Sequence, residues 1–267
     1  VRAPLFIHRH ATARINDREA ALRSPQAELS TAIGRGLAIV EIWIFVLMAI
    51  VIGALAIHSY YRNQQRKNEL LALAARHGWR FRPDKEAGME SRFGAFACLQ
   101  KGDDRYAYNI LEGTYEKRSI CAFDYHYETY STDSKGKRQT HHHHFSAAVL
   151  DADLPLKRLL IRPEGFFDKV TEFFGFDDID FESNEFSNNF HVTSPDRRFA
   201  FDVLHQATME FLLSAPRFTI ELAGPCILVY RTSCFDPEEF EQALQVAAGI
   251  IDRLPNYLLS EWKGAVR

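Results

Sequence analysis

Residues 37–57 read Leu-Ala-Ile-Val-Glu-Ile-Trp-Ile-Phe-Val-Leu-Met-Ala-Ile-Val-Ile-Gly-Ala-Leu-Ala-Ile, with Glu41 the one charge among 21 positions. At a rise of about 1.5 Å per residue, a helix of this length covers the roughly 30 Å of a bilayer's hydrocarbon core. Lipid offers no hydrogen bonds to a bare backbone, so a run of this kind is driven into helix. Trp43 near one end, and Tyr60 with Tyr61 beyond the other, suit the interfaces where amphipathic rings settle. A cleaved signal peptide would have a shorter apolar stretch and a small-residue cleavage site, whereas this run passes directly into a charged helical pattern. The expectation is a single transmembrane helix at 37–57 with the bilayer as its partner.

Charge on the flanks sets orientation. The twenty residues after the run hold Arg62, Arg66, Lys67 and Arg76, against Arg18, Arg23 and Arg35 in the twenty before it. Positive residues favour the cytoplasmic side, so the C-terminal part is expected there. Residues 1–36 carry six Arg against three acids and show no apolar period. They read as a flexible tail, and because the chain begins with Val, an alternative start would leave that tail outside the native protein.

Residues 58–78 are expected as a helical stalk, and 79–267 as a soluble α+β domain. Leu70, Leu71, Leu73 and Ala74 fall at helical spacing before His77-Gly78, a suitable stop. Alternating stretches then suggest strands at 79–82, 106–111, 120–130 and 141–150, with another at 156–161 after a turn at Pro155. A loop centred on Lys135-Gly136-Lys137 joins two of them. Phe166, Phe167, Val170, Phe173 and Phe174 share one helical face, and packing on a sheet is preferred for them. Further on, Ser194-Pro195-Asp196 opens a Pro-initiated helix to about Leu204, and another covers 206–213. Residues 218–222 and 226–230 read as a hairpin around Gly224-Pro225. Asp236-Pro237-Glu238-Glu239 starts a final helix to about Arg253, with Phe240, Leu244, Ala247, Ile250 and Ile251 on one stripe. The fold class is therefore α+β: a single transmembrane helix, a mainly antiparallel sheet with short helices, and a C-terminal helix.

Composition excludes some functions. Residues 58–267 hold 26 basic and 31 acidic side chains, a balance of −5 that gives no reason to seek a polyanion, so no nucleic-acid partner is expected. Cys98, Cys121, Cys226 and Cys234 form no C-x-x-C pair, which argues against a zinc knuckle or a thioredoxin-type motif. Free cysteines also agree with a reducing, intracellular setting. There is no G-x-S-x-G, no phosphate-binding glycine loop and no H-E-x-x-H.

One segment offers chemistry. His141-His142-His143-His144 lies on an expected strand, where successive side chains face opposite sides. If the loop at 135–137 turns a hairpin, Tyr130 lies near His141 or His142. Asp124, His126 and Glu128 then share a face with either His141 and His143 or His142 and His144. Two or three imidazoles with a carboxylate make a reasonable ligand set for zinc. The primary set is His126, Glu128, His141 and His143, with His142 and His144 as the substitutes under the other register. The competing reading is a half-exposed strand whose imidazoles pack on Tyr125, Tyr127 and Tyr130, with no cofactor. His126-Tyr127-Glu128 also mimics the H-x-E of zinc deaminases, but the second cysteine that should follow Pro225-Cys226 is replaced by Val229.

Phe190-x-Val192-x-Ser194-x-Asp196, followed by Ala200, Leu204, Met209-Glu210 and Leu212-Leu213, resembles a family of uncharacterised, often membrane-tethered bacterial domains of unknown function. Asp178-Ile-Asp-Phe-Glu-Ser183 is similar as well, and the likeness covers about residues 70–255. It implies a bacterial origin and an α+β domain, and it brings no activity or catalytic residue. The expected function is a non-enzymatic, membrane-anchored binding or scaffolding module with a protein or lipid partner. The alternative is a metal-dependent enzyme, or a metal or pH sensor, built on the histidine strand.

Overall fold

A computed structural model describes residues 25–165 and 178–265, with side chains from Trp43 to Trp262. The chain forms two compact units, Val1–Asn63 and Gln64–Arg267. Helix α1 runs over Pro25–His77 and so contributes residues to each. In the first unit, every described side chain from Trp43 to Ile57 is exposed. Trp43–His77 is the one helix among the described residues long and apolar enough to cross a membrane by length and composition. The phenylalanine-rich helix expected at 166–174 lies outside the described residues.

The second unit is an α+β domain built on six antiparallel strands. They are β1 (Arg80–Arg82), β2 (Asp103–Tyr115), β3 (Arg118–Thr132), β4 (Arg138–Pro163), β5 (Phe190–Thr193) and β6 (Thr219–Arg231). The order is β1-β2-β3-β4-β5, with β6 also paired to β4. The helices are α2 (Met89–Arg92), α3 (Asn184–Ser187), α4 (Arg197–Val203), α5 (Gln206–Ser214), α6 (Pro237–Asp252) and α7 (Asn256–Ala265).

The segment expected as a helical stalk at 58–78 is helical to His77, and within it one face of residues 70–74 is buried. Leu70, Leu73 and Ala74 are buried, while Leu71 points outward. The spacing i, i+3, i+4 puts the first three on one helical face, and that face meets the sheet. Gly78, at φ 67°, ends the helix. The same side of the sheet receives α6, whose Phe240, Leu244, Ala247, Ile250 and Ile251 are all buried as their stripe predicts. Glu239 accepts the Asp236 N–H at 2.9 Å, and Pro237 opens the first turn. In α4 the cap is Asp196, which accepts Phe199 N–H at 3.0 Å. Pro195 therefore precedes the cap and does not begin the helix.

Two expected breaks are absent. Pro155 does not end a strand, because β4 runs unbroken from Arg138 to Pro163. Gly224-Pro225 does not turn a hairpin, because β6 stays paired with β4 from Ile220 to Arg231. The physical reason is a shared irregularity. Register shifts lie between Asp151 and Leu156 and between Leu156 and Leu159, opposite Gly224 at φ 58°. A bulge is where a strand tolerates proline, and glycine accepts positive φ without a Cβ clash.

The bulges also switch which residues face which side. On β6, Ile220 and Leu222, then Ile227 and Val229, pack with the helices. Ala223, then Leu228 and Tyr230, face the opposite side, against Met89, Phe96 and Leu99. Glu221 alternates with Ile220 and Leu222 and is 2% exposed. Its Oε2 accepts the Ala97 N–H at 3.2 Å, beneath the 3-10 turn Ala97–Gln100. Burial pushes its carboxyl up to about 7, with Ala97 N–H, Arg158 and Lys101 pulling the other way.

This raised value gives folding a pH dependence. The folded state holds a proton that the unfolded chain has released, so the Glu221 contribution is full below about pH 4.5 and disappears by about pH 7. A shift of this size corresponds to about 3 kcal/mol. Unfolding of Glu221→Gln in denaturant at pH 4 and pH 8 should therefore show less loss of stability with rising pH than the parent does. An identical pH response in the two proteins contradicts the assignment.

Candidate functional site

The β3–β4 hairpin carries the histidines, and its turn sets their facing. Asp133 Oδ1 accepts N–H groups of Lys135 and Lys137, each at 2.9 Å, and Asp133 N–H donates to the Lys137 carbonyl at 3.0 Å. Gly136 takes φ 77° within this loop. Thr132 then opposes Arg138, and the ladder continues to His126 opposite His144, Tyr127 opposite His143, Glu128 opposite His142 and Thr129 opposite His141. Tyr130 opposes Thr140, next to His141 along β4.

Residues directly opposite share a face. His142 and His144 therefore join Asp124, His126 and Glu128, while His141 and His143 lie on the other side. This corrects the primary ligand set in favour of its substitute. On the far side, His143 stacks on Tyr127 at 4.6 Å between ring centres and meets Thr129 Oγ1 at 2.8 Å. His141 Nε2 meets Ser131 Oγ at 2.7 Å. Each of these two imidazoles is thus engaged by a hydroxyl of its neighbouring strand.

The face shared by His126 and His142 is stratified. Deepest is Asp124, fully buried, whose carboxylate is held by Arg66 of α1 through Nη2 to Oδ1 at 2.8 Å and Nε to Oδ2 at 3.1 Å. Asn109 donates to Oδ2 at 2.8 Å, and the Ser146 hydroxyl also donates to this carboxylate. Arg66 Nη1 reaches the Phe235 carbonyl at 2.6 Å, and Phe235 N–H donates to Ser146 Oγ at 2.8 Å. Burial alone would lower the Arg66 pKa, but its hydrogen bond and attraction to Asp124 raise it above the usual value. Sequence reasoning missed this contact. Asp124 was placed on the correct face, but nothing in the local pattern linked it to Arg66, 58 residues earlier.

Outward of Asp124 lies a layer of rings. Tyr106 opposes His126 and stacks on it at 4.5 Å, with Lys85 Nζ 4.0 Å from the Tyr106 centroid. The Tyr108 hydroxyl lies 3.1 Å from His144 Nδ1, and the His144 and His126 rings are 4.8 Å apart. Burial lowers the His144 pKa, and the nearby His126 and His142 lower it further. Burial and the Asp124 charge raise that of Tyr108.

Outermost are His126 Nε2, Glu128 Oε1 and His142 Nδ1. The two imidazole nitrogens are 3.2 Å apart, and His142 Nδ1 is 3.1 Å from the Glu128 oxygen. Among the described residues, His126, Glu128 and His142 present one ligand atom each within a 4.8 Å span. Beside the hairpin, a cleft of about 380 Å³ is lined by Cys98, Lys101, Tyr127, Phe145, Tyr230 and Thr232 together with His142, His143 and His144.

No family model matches this chain, and no curated protein does. Among solved structures, the mycobacterial trehalose monomycolate transport factor A, TtfA, aligns over 70% of this chain and 92% of its own, at 12% identity and a TM-score of 0.49.

Removing one partner of a buried ion pair strands the other, at a cost of about 3–5 kcal/mol. Arg66→Ala should destabilise the domain on this scale, because Asp124 keeps only neutral donors. Arg66→Lys should cost less, since it keeps the charge but loses the two-pronged geometry. Equilibrium unfolding in detergent measures both. A loss below about 1 kcal/mol for Arg66→Ala, the scale of an exposed pair, contradicts the buried-pair account.

Proposed function

We propose that the chain is a single-pass, membrane-anchored binding module whose C-terminal unit lies in the cytoplasm and engages a protein partner. The supporting observation is the exposed apolar surface of α1 over residues 43–57. Soluble proteins rarely expose contiguous apolar patches beyond a few hundred Å². Lipid is the solvent in which such a helix carries no penalty, because its backbone is satisfied internally and its side chains are as apolar as acyl tails. The excess of positive charge after the run supports the cytoplasmic side. The absence of catalytic signatures from the sequence favours binding over catalysis. The cleft beside β4 and β6 is the binding element in this reading: Tyr127, Phe145 and Tyr230 give it aromatic walls, and Lys101 with His142, His143 and His144 gives it donors, a surface suited to a peptide segment with an acidic or carbonyl group.

Flotation of cell lysate on a density gradient tests the anchor and separates membranes from aggregates. The parent chain should float with lipid and withstand an alkaline wash. Leu47→Arg with Ile50→Arg places two charges near the middle of the run, each opposing insertion by about 2.5–3.5 kcal/mol, and should leave the floating fraction. A parent chain that stays at the bottom of the gradient overturns the proposal.

A further inference from the structure

The outer end of the β3–β4 hairpin holds a donor arrangement that the anchoring reading does not use. His126 Nδ1 lies 3.1 Å from the Asp104 carbonyl oxygen. A carbonyl can only accept, so this contact puts the proton on Nδ1 and leaves Nε2 as a bare lone pair. That lone pair faces His142 Nδ1 at 3.2 Å, and Glu128 Oε1 faces the same nitrogen at 3.1 Å. Two acceptors therefore converge on one ring nitrogen, which carries at most one proton. Divided between both, that proton satisfies neither well. A cation placed among the three atoms satisfies all of them.

The spacing suits such an ion. Ligands about 2.0–2.1 Å from a tetrahedral centre stand roughly 3.3 Å apart, so the two separations from His142 Nδ1 need little adjustment, and the third edge lies within 4.8 Å. The surroundings fix the inner ligand. His126 is 3% exposed, its ring is covered by Tyr106, and its second nitrogen is oriented by a carbonyl, the usual outer partner of a metal-bound imidazole. Asp104 takes φ 47° at an irregularity in the β2–β3 ladder, a conformation that costs energy for a non-glycine residue. Gly102 brings this segment close: a Cβ there would stand 2.1 Å from the Glu128 carbonyl oxygen. The His142 side chain is 60% exposed, so a fourth position opens to water.

We propose that His126 Nε2, His142 Nδ1 and Glu128 Oε1 bind one divalent transition-metal ion, zinc foremost. Two imidazoles and a carboxylate suit zinc and its first-row neighbours, whereas calcium takes six or more oxygens and magnesium keeps several waters. His144 stands outside the ligand set, its Nδ1 held by the Tyr108 hydroxyl, and it walls the site beside His126.

The test uses the full chain in detergent micelles, stripped with chelator and dialysed against zinc chloride alone. One zinc per chain is expected, and cobalt(II) in its place should give the strong visible absorption of a four-coordinate ion. His142→Ala, at an exposed position, should weaken binding by at least about a hundredfold, beyond the range for outer-shell partners. Glu128→Gln should weaken binding with an unchanged circular dichroism spectrum, which separates lost ligation from lost fold. His141→Ala with His143→Ala should leave binding intact. A parent chain with no stoichiometric zinc overturns the proposal, and so does a His141/His143 double variant that loses zinc as fully as His142→Ala. Flotation reads the anchor independently, so failure of one proposal does not disguise failure of the other.

Discussion

A carboxylate with no exposure to water must be matched where it lies, and Asp124 is the constraint around which the second unit is arranged. Its partners come from separate parts of the chain: Arg66 from α1, Asn109 from the irregular stretch of β2, and Ser146 from β4. Phe235, just ahead of α6, joins them through its carbonyl to Arg66 and its N–H to Ser146. Meeting all of these contacts fixes the turn of α1 presented to the sheet and the register of three strands. On the inner side of this contact, α1 and α6 bury their apolar faces. On the outer side the same sheet face carries rings and imidazoles.

The long β4 and β6 strands solve a second problem. A sheet with different cover on its two sides needs a strict alternation of side chains, and a single extra residue inverts it. Here both strands carry their irregularities at the same level, so they bend together and remain paired across the inversion. Ile220 and Leu222 before the bend, and Ile227 and Val229 after it, therefore face the same helices. Glu221 falls on an enclosed side of this arrangement, and its raised pKa is the electrostatic consequence of that position.

Alternation also separates the four histidines. The odd-numbered pair turns toward Thr129 and Ser131, whose hydroxyls engage it, and His143 also stacks on Tyr127. The even-numbered pair turns toward a carboxylate and a buried imidazole. Chemically identical neighbours thus have different potential, and the five-residue turn from Asp133 to Lys137 assigns it.

Much of this was legible along the chain. The run at 37–57, the stripe of α6, the Asp236 start and the hairpin strands depend on local periodicity and on side chains that bond to nearby backbone, and these act within a few residues. The sequence also determined that two histidines would share a face with His126 and Glu128, since alternation requires it in either register. Which two was decided by the Asp133 side chain closing the turn, a choice between geometries of similar local cost. The continuity of β4 through Pro155 and of β6 through Gly224-Pro225 was decided only in three dimensions. Each strand supplies the other's hydrogen bonds across an irregularity that reads as a break when either is taken alone. The Arg66–Asp124 contact belongs there too, because burial of a charge is a property of the packed chain and no local pattern encodes its partner.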